Sequence, residues 1–246
     1  MLRYFFVFIF LIFTFPAYCE TIPFNNCGDC VDLGITDINE YWGNAYGGTK
    51  NKTSYLGQTQ VSININLNKI FGKKFGLLYI SGINSRGNPL SGSNLKTLDF
   101  ISNIENYNST KLYEFYYENQ ISDIHIKIGK FDFSSDFGYD DLTSKFLNAS
   151  MVTSMVTNNN TFNMSNYGPA SSVGIEVKYE KNDWYIKGGI SGDNPYHIKN
   201  YNNFSNINSD KHGTDLYVKN PMLYIEYNKN VNYRRTDWFI LHWRMV

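Results

Sequence analysis

The chain has 246 residues, with 22 basic side chains against 22 acidic ones and a formal net charge of zero. That balance supplies neither a basic footprint for nucleic acid nor an acidic tail for a cationic partner. Mean hydropathy is −0.37 and no apolar run reaches the roughly 20 residues that a membrane helix requires, so helical spans are excluded. Strand spans are not, because half the residues of a barrel strand are polar and the strand is short.

Residues 1–19 read as a secretory signal. Arg3 precedes the apolar run from Phe5 to Phe13, and Pro16 then leads into Ala17-Tyr18-Cys19. A positive start, a short apolar core and small residues before a cleavage point are the marks of such a signal. Cleavage is expected after Cys19. Bulky Tyr18 argues against lipid attachment there.

Residues 20–32 read as an irregular tail carrying Cys27-Gly28-Asp29-Cys30. In an exported chain with no second ligand pair nearby, this spacing predicts a local disulfide rather than redox or metal chemistry. Strand patterns fill 33–230, at 33–46, 55–67, 76–84, 111–119, 121–131, 171–180, 183–190 and 222–227. The clearest is Val61-Ser62-Ile63-Asn64-Ile65-Asn66-Leu67-Asn68, where apolar and polar residues alternate without interruption. The same period returns at Ile124-His125-Ile126-Lys127-Ile128 and from Val173 to Tyr179. Lys181-Asn182-Asp183 reads as a tight hairpin turn, and residues 140–147 as a short helix. Short connections alternate with long polar excursions around 86–110 and 192–220, as in outer-membrane barrels. Aromatic residues make up 17% of the chain, with Tyr and Phe far above Trp, which suits interfacial girdles and cross-strand pairs alike. Residues 231–246 lose the clean alternation. An all-β antiparallel fold follows, either a transmembrane β-barrel or a soluble sheet with one buried face.

In a barrel, parity assigns the faces. Tyr113, Phe115 and Tyr117 fall on one side of residues 111–119, and Leu112, Glu114, Tyr116 and Glu118 on the other. Carboxylates in lipid are costly, so Glu114 and Glu118 should face the lumen. Ile124, Ile126 and Ile128 should face lipid with Ile63, Ile65 and Ile175, which turns His125 and Lys127 inward.

Several segments, in order, resemble the carbohydrate-selective porins of the OprB family. They include Tyr55-Leu56-Gly57, Ser81-Gly82-Ile83-Asn84-Ser85-Arg86-Gly87 with Ser91 after it, and the strand from Lys111 to Asn119. Ile126-Lys127-Ile128-Gly129-Lys130, Asp136-Phe137 and Phe146-Leu147-Asn148-Ala149-Ser150 follow. The series continues with Gly168-Pro169-Ala170, Val173-Gly174-Ile175, Trp184 to Gly189 and Gly192-Asp193-Asn194-Pro195. The resemblance implies a 16-stranded outer-membrane barrel that conducts sugars, of which this shorter chain encodes about half. It implies sugars and outer-membrane lipid as partners, no cofactor and no nucleic acid, and leaves homo-oligomerisation open. Candidate lining residues are Arg86, Glu114, Tyr116, Glu118 and Lys127. Charged groups hydrogen-bond sugar hydroxyls and an aromatic face stacks on the apolar side of the ring. The alternative for these charges is cross-strand pairing that keeps the lumen wet. Arg86 fits a constriction or an ordinary loop equally.

An enzyme is not expected. Glu114 and Glu118 lie roughly 13 Å apart on one strand face at ~3.3 Å per residue, too far for paired acid–base chemistry. The four histidines are dispersed, and no nucleophile, phosphate or dinucleotide motif is present. Two other readings stand beside the channel: a secreted β-sandwich that binds glycans, and a truncated porin fragment without activity.

Thiol labelling of the exported protein without reductant is expected to find Cys27 and Cys30 both blocked. A free, reactive thiol at either position would contradict the disulfide.

Overall fold

The computed structural model describes residues 22–23, 30–47, 49, 51–71, 74–91, 95, 101–106, 108–137, 145, 147, 171–192, 221–231 and 234–244. The described strands are β1 (Ile22–Pro23), β2 (Val31–Gly43), β3 (Thr53–Asn66), β4 (Leu77–Gly87) and β5 (Ser109–Ile121), then β6 (Ile124–Phe131), β7 (Ser172–Lys181), β8 (Trp184–Gly192), β9 (Pro221–Val231) and β10 (Arg234–Arg244). Among the described residues, two short helices, α1 (Leu67–Phe71) and α2 (Phe133–Asp136), sit in the connections. The strands form one sheet in chain order, each antiparallel to the next.

A meander of this kind puts alternate connections at opposite ends. One end has the tight turns 122–123 and 182–183, together with the connection between β3 and β4; the strand pairs β4–β5, β6–β7 and β8–β9 are joined at the other end by longer stretches of sequence. The expected Asn182-Asp183 turn is present, and Asn182 and Ser122 open their turns at φ 54° and 56°. Asn68 organises the 67–76 connection, its side-chain oxygen accepting the N–H groups of Lys74, Phe75 and Gly76.

The register sorts the side chains onto two faces. Ile63, Ile80 and Phe115 are direct partners, as are Ile128, Ile175, Ile190 and Leu223. This aliphatic face is uncovered: Ile35, Val61, Ile128, Ile175, Val177 and Ile190 are each 39–49% exposed. Near the tight turns it ends in Tyr179, Trp184 and Tyr227, whose rings lie 5.5 and 6.3 Å apart in sequence of contact. The opposite face carries Asn64, Tyr79, Tyr116, Lys127, Glu176, Lys187 and Glu226. The main cluster of buried hydrophobics sits on this polar face. Phe131, Phe133, Phe137, Met222 and Tyr224 pack together there, with Tyr116 against them.

Three local features depart from simple alternation. Between Ser81/Glu114 and Gly82/Leu112 the ladder slips by one residue, a bulge that leaves Tyr113 as the extra residue of β5. Tyr113 is therefore not on the aliphatic side with Phe115 and Tyr117. It is 8% exposed, and its hydroxyl donates to the Asp132 carboxylate. Leu112 leaves the face of Glu114 for the same reason. The second departure is at 231–246, where β10 runs despite the lost alternation. An extra residue between Thr236 and Phe239 breaks the two-residue period. The third is at the N-terminus, where β1 and the start of β2 fall within the stretch expected to be irregular. Cys30 there is buried and disulfide-bonded, and its carbonyl accepts the Asn66 N–H at 2.7 Å. Cys27, residues 1–19 and nearly all of 140–147 lie outside the described residues.

Gly129 has φ 138°, and a Cβ there would stand 2.4 Å from the Phe115 carbonyl oxygen and 2.6 Å from Tyr116 Cα. Gly129→Ala should therefore lower the free energy of unfolding by about 1–3 kcal/mol for the backbone alone, read from the shift in denaturation midpoint. Gly188→Ala, whose Cβ would meet only Tyr224 O at 3.5 Å, should change it little.

Candidate functional site

The site is built on the polar face of β5 to β9, with the segment 132–137 folded across it. Phe133 and Phe137 reach this face because two opposing strands carry glycine where side chains would stand. A Cβ on Gly174 would come within 2.5 Å of the Phe133 ring, and one on Gly189 within 3.1 Å of Phe137 and 3.3 Å of Phe133. Phe133 then stacks on Phe131 at 4.1 Å and on Tyr224 at 5.5 Å.

Two lysines fix the polar side of the segment. Lys127 bonds both oxygens of the Asp136 carboxylate, at 2.9 and 3.0 Å, and Lys187 donates to the Asp136 carbonyl. Lys187 also stands 3.6 Å from Glu226 and 4.6 Å above the Phe137 ring. Glu226 accepts the Tyr185 hydroxyl as well. Near the start of the segment, the Asp132 N–H donates to Glu114 at 3.2 Å, while Ser81 donates to the other Glu114 oxygen at 3.3 Å. The segment is thus tied to four strands through ionic bonds, hydrogen bonds and aromatic contact.

Of the residues expected to line a pore, Glu114, Tyr116, Glu118 and Lys127 share this face. Tyr116 stacks on Tyr79 at 5.0 Å and 26° and lies 4.7 Å beneath the Lys127 ammonium, while Glu118 is 4.0 Å from that ammonium. Arg86 does not join them. It belongs to β4 rather than a loop, and its parity with Leu78 and Ile80 places it on the aliphatic face, opposite Gly57. Arg86 bonds Asp37 at 2.7 Å, Thr59 at 2.6 Å and Tyr55 at 3.1 Å there, so it stands on the opposite face of the sheet from the other four candidates.

Sequence reasoning missed Asp136, Glu176, Lys187 and Glu226. The last three were within reach. Glu176 lies between Ile175 and Val177, Lys187 follows Ile186, and Glu226 lies between Ile225 and Tyr227, the same parity that turned Lys127 inward. Asp136 had no such signal, because its place depends on how a connection folds back over the sheet.

Nearer the long-connection end, Ser102 donates to Glu40 at 2.6 Å, and Glu105 accepts both the Ser91 N–H and its hydroxyl. Burial lifts the Glu105 carboxyl above the usual range, against the pull of those hydrogen bonds. Among the described residues no group of His, Cys, Asp and Glu is arranged to hold a metal ion.

Residues 50–225 match the model of the carbohydrate-selective porin, OprB family, well over half of the chain. The chain belongs to this family. Among solved structures it is similar to a high-pH structure of Pseudomonas putida OprB, at 19% identity and a TM-score of 0.65. The match covers 82% of this chain and 49% of that one, so the chain spans about half its length. No curated protein matches the chain. The all-β antiparallel fold read from the sequence is thus similar to the OprB fold, over about half of its length.

Lys127→Met strips the counter-charge from Asp136 and Glu118, and the free energy of unfolding is expected to fall by about 1–3 kcal/mol. Lys178→Met, which removes a more exposed pair with Glu180, should cost at most ~1 kcal/mol. Equal losses in chemical denaturation would contradict the clamp described for Lys127.

Proposed function

We propose that this chain forms the wall of an outer-membrane channel for passive, carbohydrate-selective diffusion of sugars. The observation that carries this reading is the pairing of two faces in one sheet. A continuous exposed aliphatic surface lies on one side, and on the other is a charged and aromatic surface crossed by the 132–137 segment. A soluble sandwich would hide its aliphatic face against a second layer. An aliphatic face left open, edged by Tyr179, Trp184 and Tyr227, suits a bilayer and its interface.

On the polar side, Glu118, Lys127 and Tyr116 offer what a sugar leaving water needs. Carboxylate and ammonium groups replace its hydrogen bonds with water, and an aromatic face meets the apolar side of a pyranose. Such contacts must be strong enough to admit the solute and weak enough to release it. The role is transport rather than catalysis. Export through residues 1–19 and residence in the outer membrane belong to the same proposal.

Two outcomes follow. Ile175→Arg, on the aliphatic face, should destabilise the membrane-embedded protein by roughly 2–4 kcal/mol if it lies at the bilayer midplane. Asn64→Arg, on the polar face, should cost little, and equal costs on refolding into bilayers would rule out lipid on the aliphatic side. Proteoliposomes should also swell in isotonic sugar faster than protein-free ones. Glu118→Gln should slow that swelling by more than it lowers the denaturation midpoint, whereas unchanged flux would make Glu118 a structural charge only.

A further inference from the structure

Next to Asp136 the polar face contains a cavity of about 410 Å³. Its wall carries Glu118, Lys127, Asp136, Glu176 and Lys178, three carboxylates to two ammonium groups, with amides such as Gln120 beside them. Most of these charges are matched. Lys127 bonds Asp136 at 2.9 Å and stands 4.0 Å from Glu118, and Lys178 pairs with Glu180 at 2.6 Å. Glu176 differs. It is 8% exposed, it sits directly opposite Lys127 in the β6–β7 register, and its Oε2 is buried with no hydrogen-bond partner. A buried carboxylate oxygen without a donor is costly to hold, and at the wall of a polar cavity it is an acceptor that a ligand can satisfy.

We propose that Glu176 is the specificity-determining residue of this cavity, accepting a hydrogen bond from a hydroxyl or ammonium group of a passing sugar and excluding sugars that carry an acid group. The proposal rests on the channel reading above and names the class of sugar the channel prefers. An amino sugar brings a charged donor to a wall with excess negative charge, and its bond to Glu176 is charge-assisted. A neutral sugar brings a hydroxyl donor and loses only the charge assistance. A sugar carboxylate or phosphate brings no donor at that position and meets Glu118, Asp136 and Glu176 as like charges. The order of preference is amino sugar, then neutral sugar, then sugar acid.

The test compares glucosamine, glucose and gluconate. In proteoliposomes the wild-type protein should pass glucosamine roughly tenfold faster than gluconate, the size expected for one charge-assisted bond against its absence. Glu176→Gln, which removes the charge and keeps the side chain's length, should lower that ratio several-fold, with glucose still entering faster than in protein-free liposomes. A ratio unchanged in Glu176→Gln, with glucose still moving, would overturn the role of Glu176 and leave the channel reading intact. Swelling no faster than that of protein-free liposomes, for every sugar, would overturn both. A second measurement does not depend on the variant folding or on transport. Calorimetric titration of the detergent-solubilised wild-type protein should detect glucosamine more readily than gluconate, and equal or reversed binding would overturn the proposal.

Discussion

A β-strand in hydrocarbon has no water to satisfy its N–H and C=O groups, so each must pair with a neighbouring strand. The proposed channel places that requirement on this chain. It favours an antiparallel meander, because tight hairpins such as Ser122-Asp123 and Asn182-Asp183 bring each strand back beside the last without leaving backbone groups open. It also makes the side-chain period two, so one face can be wholly aliphatic while the other is polar. Nothing in the described residues covers the row Ile128, Ile175, Ile190 and Leu223, and in water such a surface would be an aggregation hazard. The lipid that would cover it belongs to the proposed function.

The polar face solves a different problem. Charged groups cluster on adjacent strands, and left alone they would repel or stay hydrated. Here a six-residue piece of the β6–β7 connection is drawn onto them. Its carboxylate at Asp136 meets Lys127, its backbone meets Lys187, and its two phenylalanines fill the space left by Gly174 and Gly189. Ionic and aromatic contacts act together, because neither alone would hold a short segment that contains only one turn of helix. The same arrangement makes Lys127 both a structural clamp and a wall residue of the adjacent cavity, while Glu176 keeps one oxygen unmatched.

Bulges are where the two faces exchange residues. At Tyr113 one extra residue turns a ring that simple alternation would send outward toward Asp132, so that Tyr113 and its neighbour Glu114 both reach the start of the folded-in segment. In β10 an extra residue has the opposite effect on legibility, hiding a strand whose ladder with β9 is otherwise regular. Arg86 shows that parity outranks local resemblance. Counting in twos from Leu78 puts it on the aliphatic face, where it is held by Asp37, Thr59 and Tyr55 near the end of the strands.

The amino-acid sequence by itself determined the fold class, most strand positions and the two faces of the regular strands. Each of these follows from a period of two residues, which is local and survives without knowledge of any partner strand. It also placed Glu114, Tyr116, Glu118 and Lys127 on one face for that reason. The tertiary structure alone decided where the period slips, because a bulge is a mismatch between two strands and its position is fixed only when they pair. It alone decided that the segment 132–137 lies across the polar face. That choice depends on Lys127, Lys187, Gly174 and Gly189, which come from three different strands and meet Asp136, Phe133 and Phe137 only once the sheet has formed.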